Sequence, residues 1–494
     1  MTILARFRIR AVFAIAAVGG WMPGCLFAAA PTVAVTAQEP GASPFISFVH
    51  LHTAETSSLE SVRFTIRPKP GSVTRPLSAR YASAYLGGRG YLHLPNNEVV
   101  VPVFGLYAGY TNSVQLECRF GGGTFVTTDV SILTAQFTDR IFNHPVVVQA
   151  RSRETRLSYD YIMLKSFYDG DSPRIIDTDG ELRWVGTEHA VTMNTILYDN
   201  SIFFSHGAKL SRMELDGSIS EVKDYSGLGV TLFHHNLDKG KRGILAQIDT
   251  PNYAESTVME VDTSGNVLHA WNLAQIISNA MLAGSDDATQ FVPAAGTQVD
   301  WFHGNSAAYR PADDTIVISS RENFVIALDY QSGTIKWILG DPTKQWHQFA
   351  SLRRYALTAT PGSHYPVGQH AVSFFRQKLL LFDDGYYSLA HTPAGENRMY
   401  SAPRKYEIDP AAGTATETWN YWTDIYSPIC SSVYEDRANN YLVDYATAGP
   451  YEYAEIIGLR PGKVKVFDYK FTEENTAQTA WNAAILHLED LNFE

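Results

Sequence analysis

A recurring hairpin limits the folds open to this chain more than any other feature. Ile175-Ile176-Asp177 runs through Gly180 to Leu182-Arg183-Trp184, and Met213 to Asp216 runs through Gly217 to Ile219. Val258 to Asp262 runs through Gly265 to Val267 and Trp271, and Val325 to Asp329 runs through Gly333 to Ile335-Lys336-Trp337. Tyr406 to Asp409 runs through Gly413 to Trp419, and Val464 to Asp468 gives a sixth, incomplete copy. Each reads as strand, Asp and Gly turn, strand, often with a tryptophan that packs on a neighbour. One such unit cannot bury both its faces, so the copies must stack. Repeats made only of strands and turns predict a six-bladed β-propeller, closed by a late strand that completes an early blade. A pair of long β-sandwiches or a β-helix fits the spacing less well, because β-helix coils are much shorter.

Residues 38–148 differ. Val62-Arg63-Phe64-Thr65-Ile66 and Ser113 to Cys118 alternate apolar and polar, as half-buried antiparallel strands do, and Pro68 to Gly71, Gly87-Gly88 and Gly121 to Gly123 separate such runs. A small N-terminal β-sandwich is expected there, with the propeller over residues 149–494. The fold class is all-β.

Residues 1–37 read as an export signal. Arg6, Arg8 and Arg10 precede an apolar run from Ala11 to Val18, and Ala28 to Ala30 or Val35-Thr36-Ala37 offer cleavage sites. Pro31 disfavours a cut after Ala30, which leaves Ala37. Gly19, Gly20 and Pro23 interrupt the run before the roughly 20 residues that a membrane span needs. A periplasmic protein, free of the membrane after cleavage, is the expectation. Cys118 and Cys430, the cysteines beyond the leader, form no disulfide framework or metal-ligand spacing and read as buried small hydrophobes.

A net charge of −12 argues against nucleic acid or an anionic membrane as partner. An anionic substrate would need a local cluster of cations. Histidines recur where inner strands begin: His189 before Asn194, the pair His234-His235, His303 in Asp300-Trp301-Phe302-His303-Gly304-Asn305, and His370 before Phe374. In a propeller those positions face one channel mouth. Arg321, on the strand following His303, adds a planar cationic fork suited to sulfate or phosphate oxygens. Three imidazoles could bind a metal, but Arg321 would repel the cation, and Asp383 and Asp384 read as turn residues. An anion site fits better, with the arginine gripping oxygens while imidazoles act as nucleophile and acid. No Walker-type loop is present, and no cofactor or metal is expected.

Several stretches carry a wider likeness: Val101 to Tyr107, Phe233-His234-His235-Asn236, Asp300 to Asn305 with Ser319-Ser320-Arg321, Trp337 to Gly340, Gln369-His370-Ala371, and Arg398 through Asp409 to Ile429. In that order they resemble the bacterial arylsulfate sulfotransferases that use no nucleotide donor. The resemblance implies a sandwich followed by a six-bladed propeller, a periplasmic homodimer, and transfer of a sulfuryl group from a phenolic sulfate to a phenol through a sulfohistidine. It makes His370 the nucleophile and His303 with Arg321 the sulfuryl-binding pair, at the family's spacing of 18 residues. It places a third histidine in His234-His235 and leaves both open: the following Asn236 favours His235, while the parallel of Phe233-His234 with Phe302-His303 favours His234. Asn305 would orient a ligand oxygen or a histidine. The chain departs from the family between residues 341 and 369, a short segment without the cysteines of a usual disulfide. A propeller that only binds proteins or glycans, or another propeller enzyme of quinoprotein or lactonase type, are the other classes open to this sequence.

Overall fold

The computed structural model describes residues 31–138, 144–166, 172–187, 194–472 and 480–494. Strands and turns make up nearly all of it. Residues 34–133 build two sheets. One orders Ala34–Pro40, Ile46–His52, Glu98–Phe104 and Leu92–His93; the other orders Leu77–Ala82, Leu59–Ile66, Thr111–Phe120 and Thr124–Leu133. Val62, Phe64 and Ile66 alternate inward against Val114 and Leu116, and both sheets contribute to one apolar core. The chain's last strand, Leu491–Phe493, joins the second sheet in parallel beside Leu77–Ala82. The N-terminal unit is thus bound to the far end of the chain.

Most of the leader lies outside the described residues. Its last seven residues do not, and four of them open a strand: Ala34–Pro40 pairs with Ser47–His52, so a cut after Ala37 would divide a paired strand.

Six sheets follow, antiparallel except where the two-residue strand Thr358–Ala359 joins the fifth in parallel. Tyr161–Lys165, Arg174–Asp177 and Leu182–Val185 form the first, and Asn482–Leu486 returns from the C-terminal end to pair with Tyr161–Lys165 as its fourth strand. The next three sheets are consecutive four-strand meanders, led by Thr195–Tyr198, Leu232–Lys239 and Gly304–Arg310. His370–Phe375 and Ser432–Asp436 lead the last two, and Val146–Gln149 adds a fifth strand to the sixth sheet beside Val464–Thr472. Each leading strand packs on the next, from Thr195–Tyr198 through to Ser432–Asp436 against Asn482–Leu486.

The repeated turns form as their composition dictates. Gly180, Gly265 and Gly333 have φ of 88°, 82° and 71°, a region open to glycine at little cost, and each amide donates to the carbonyl of its turn aspartate at 2.9–3.0 Å. The aspartate side chains accept further amides: Asp177 from Asp179 and Glu181, Asp262 from Ser264 and Asn266. Three tryptophans each tie a sheet to its successor. Trp184 Nε1 donates to the Leu215 carbonyl at 3.0 Å, Trp271 to that of Tyr330 at 3.1 Å, and Trp419 stacks on Tyr441 at 4.1 Å. Burying a large side chain of this kind is worth about 1.5–3 kcal/mol, so the repeat itself supplies much of the stacking energy. The sixth copy corrects the sequence reading: its hairpin is Tyr453–Arg460 with Val464–Thr472, so Val464 to Asp468 begins the outgoing strand instead of entering the turn.

Candidate active site

One distortion occurs three times. The leading strands of the third, fourth and fifth sheets each lose register where their histidine lies, between His234 and Leu237, Gly304 and Ser306, and His370 and Ser373. His235, His303 and Ala371 take φ of 49°, 51° and 53°, unusual for residues with a Cβ. A bulge re-aims the side chain beside it, and backbone held in this region costs of order 1–3 kcal/mol per residue. Here the three bulges turn imidazoles toward one another. His235 Nε2 and His303 Nε2 meet at 2.9 Å, and the His235 ring centroid lies 6.1 Å from that of His370.

The rings border a cavity of about 580 Å³, also lined by Arg321, Glu255, Asp300 and Glu322, with Val299, Leu389 and Ile429 as an apolar wall. That volume falls in the range of small-molecule sites, and an apolar wall with a few converging polar groups is their usual build.

His370 is buried. Its Nδ1 stands 2.6 Å from Asp384 and 3.1 Å from the Gly368 carbonyl. Burial, then the neighbouring His235, His303 and Arg321, hold its pKa well below the ordinary 6.5. Because a carbonyl can only accept, Nδ1 carries the hydrogen and Nε2 keeps a free lone pair. Burial pushes the Asp384 carboxyl up, against the pull of Arg321. The sequence reading of Asp383 and Asp384 as turn residues is corrected for the second of them. Asp383 is a structural hub for Arg398 and Arg404, whereas Asp384 orients the histidine. His370 pairs with Phe382, and Asp384 lies two residues beyond that partner.

His303 has the opposite character. Burial lowers its pKa, but the hydrogen bond to Asp300 and the charges of Glu255 and Asp300 outweigh that and hold it above 6.5. Its Nδ1 donates to Asp300, three residues earlier in the same motif. His235 is kept neutral by burial and by the His303 charge. His234, the other candidate, also borders the cavity: its Nε2 lies 3.0 Å from Glu255 Oε1, and burial with the neighbouring His235 brings its pKa down to about 3. His235 is therefore the member of the pair that contacts both other rings. His189 lies outside the described residues.

Arg321 is 4% exposed; its Nη1 pairs with Glu322, while Nη2 is buried with no hydrogen-bond partner among the described residues. Glu322 also accepts from Ser388 and from the amides of Leu389 and Ala390, which fixes the guanidinium in place. A buried N–H without a partner costs about 1–3 kcal/mol, more when charged, which marks this arm as awaiting an acceptor. Asn305 does not line the cavity. Its Nδ2 donates to the Gln369 carbonyl at 2.8 Å, and so it holds the backbone one residue before His370. Glu255 and Glu322 were not singled out from sequence. Glu322 adjoins Arg321, but no local pattern marks Glu255, which reaches the histidines from the turn between the third sheet's second and third strands.

The cysteine-free segment is held by polar contacts instead. Lys344 Nζ donates to the carbonyls of Arg321 and Glu322 at 3.2 and 3.0 Å, and Asp341 accepts amides from Thr343 and Glu396. Cys118 and Cys430 are buried and unpaired, with both thiols pushed up by burial.

Residues 146–483 match the family model for arylsulfotransferase, and residues 45–135 match that for the arylsulfotransferase Ig-like domain. The chain belongs to the arylsulfotransferase family. It is 23% identical over 368 residues to arylsulfate sulfotransferase AssT of Escherichia coli O6:H1, an alignment spanning 60% of this chain and 61% of that protein. With AssT of Lelliottia amnigena the identity is 22% over 398 residues, spanning 64% and 65%. The chain thus matches somewhat less than two thirds of the length of these family members. Among solved structures, the WD40 domain of Toxoplasma gondii coronin is 8% identical at a TM-score of 0.31, covering 68% of this chain and 77% of that one. BamB from Moraxella catarrhalis is 10% identical at 0.29, covering 67% and 92%. Scores this low add nothing to the account of the fold.

Proposed function

We propose that this protein is an arylsulfate sulfotransferase that moves a sulfuryl group from a phenolic sulfate ester to an acceptor phenol, through a sulfohistidine on His370 and without a nucleotide donor. The observation that carries the reading is the free Nε2 lone pair of His370 in the same cavity as the unpartnered Nη2 of Arg321. Family membership and the names of the two relatives support it.

In this reading the donor's sulfate oxygens bind Arg321 and the protonated His303, whose Nε2–H is shared with the neutral His235. His370 Nε2 attacks sulfur in line, the bond from sulfur to the aryl oxygen breaks, and fixed donors stabilise the charge that develops. His303, held protonated, passes a proton to the departing phenolate. Sulfated on Nε2 while keeping hydrogen on Nδ1, the ring becomes cationic, and Asp384 stabilises it. An acceptor phenol then returns its proton to His303, its oxygen attacks sulfur, and the nitrogen–sulfur bond breaks. Protons and charge balance over the cycle. Because the first product leaves before the second substrate reacts, the kinetics are ping-pong.

The six sheets serve here as blades of a closed propeller, with Asn482–Leu486 completing the first blade beside Tyr161–Lys165. Residues ahead of the N-terminal sandwich direct export to the periplasm, where the chain acts as a homodimer.

Mass spectrometry after incubation with an aryl sulfate and no acceptor tests the central step. One sulfuryl group on the His370 peptide is expected, and none on His370→Ala. A full burst of phenol from that variant would move the nucleophile elsewhere.

A further inference from the structure

Glu255 has no part in sulfuryl transfer as described, yet it sits among the imidazoles. It is 8% exposed, Oε2 lies 3.2 Å from both His235 Nε2 and His303 Nδ1, and that oxygen makes no hydrogen bond among the described residues. Beside it, one ring nitrogen from each of His235, His303 and His370 lies within 4.8 Å of the other two. Two of these rings have their Nδ1 held by a carboxylate, His303 by Asp300 and His370 by Asp384. Carboxylates on the outer nitrogen fix ring orientation and make the inner nitrogen a better ligand, which is how metal-binding histidines are supported. Arg321 would oppose a cation, but its charge is met by Glu322, and Asp300, whose carboxyl the hydrogen bond to His303 holds below the usual range against its burial, adds negative charge beside the rings. The objection to a metal drawn from sequence therefore loses its force.

We propose that His235, His303 and His370 also form a site for a divalent transition metal, occupied in competition with the aryl sulfate. Imidazole ligands select zinc, copper or nickel over magnesium and calcium, which prefer all-oxygen sites. Three imidazoles leave a fourth position of a tetrahedral zinc ion open, beside Glu255. The His370 Nε2 lone pair cannot bind a metal and attack sulfur at once, so the two uses exclude each other. Metal binding stands on the geometry alone; the competition rests on the transfer reaction proposed above.

The test titrates the full chain with zinc in the absence of substrate, by calorimetry and equilibrium dialysis, and then repeats transfer assays with added zinc. One ion per chain is expected, undisturbed by excess magnesium. Cobalt in place of zinc should give the visible absorption of a tetrahedral site. His235→Ala and the near-isosteric Glu255→Gln, each checked for fold by circular dichroism, should weaken binding at least about 10-fold. Zinc should raise the apparent KM for donor and leave kcat unchanged. Absence of stoichiometric binding, or binding that neither folded variant weakens, overturns the metal site and leaves the transfer reading intact. Loss of transfer on chelation, restored by zinc, overturns the competition and the metal-free mechanism together.

Discussion

The Asp384 carboxylate lies 2.6 Å from Nδ1 of His370, and the Gly368 carbonyl shares that nitrogen at 3.1 Å. Two acceptors on one nitrogen leave the opposite nitrogen unprotonated and aim it into the cavity. Asp384→Asn replaces one of them with an amide that can donate to the ring and favour the wrong tautomer. Loss of a tautomer outright can cost about 10⁴ in rate; with Gly368 still in place, kcat should fall by roughly 10²-fold. Unchanged burst kinetics in a folded Asp384→Asn protein would remove the carboxylate from the mechanism.

Arg321 offers one free arm because Glu322 occupies the other. Lysine keeps the charge and loses the planar fork, so Arg321→Lys should lower the rate on the order of 10²-fold with its fold intact. Near-normal steady-state kinetics in that variant would show that oxyanion stabilisation comes from the imidazoles alone.

The opposed histidines set a pH profile. His370 must be neutral to attack, and its depressed pKa places the acid limb of kcat/KM for the donor below pH 6.5. His303 must be protonated to serve the leaving phenolate, and its raised pKa places the alkaline limb above pH 6.5. Asp300→Asn removes the hydrogen bond that sustains the His303 charge, so the alkaline limb should move to lower pH. Donors with poorly activated phenols should show the largest loss. A profile that stays in place in this variant would exclude His303 as the acid.

His487 follows the strand that returns to the first sheet and stands 3.2 Å from Asp436 and 3.5 Å from Glu489. Hydrogen bonds to those carboxylates push its pKa up to about 9. A folded-state pKa above the unfolded value of about 6.5 adds stability that is fully present below 6.5 and is lost as pH rises through 9. Urea unfolding should therefore find wild type more stable than His487→Gln at pH 6, with the gap closing by about pH 10. A gap independent of pH would assign the contribution to packing.

Asp-x-x-Gly turns, alternating strands and tryptophan positions are local, and their physics is local too: a turn aspartate accepts the nearest amides, and glycine alone takes positive φ cheaply. The all-β class, the repeated hairpins and the positions of His303, His370 and Arg321 were therefore legible in the sequence. The choice between His234 and His235 was not, because the bulge brings both rings to the cavity and only the three-dimensional arrangement shows that His235 meets His303 and His370. Only the tertiary structure brought Asp384 to His370 and Glu255 to the imidazoles, and turned Asn305 onto the Gln369 carbonyl. Those contacts join different strands and sheets through bulged registers that no local pattern specifies, and they decide which nitrogen keeps its lone pair and which ring carries charge.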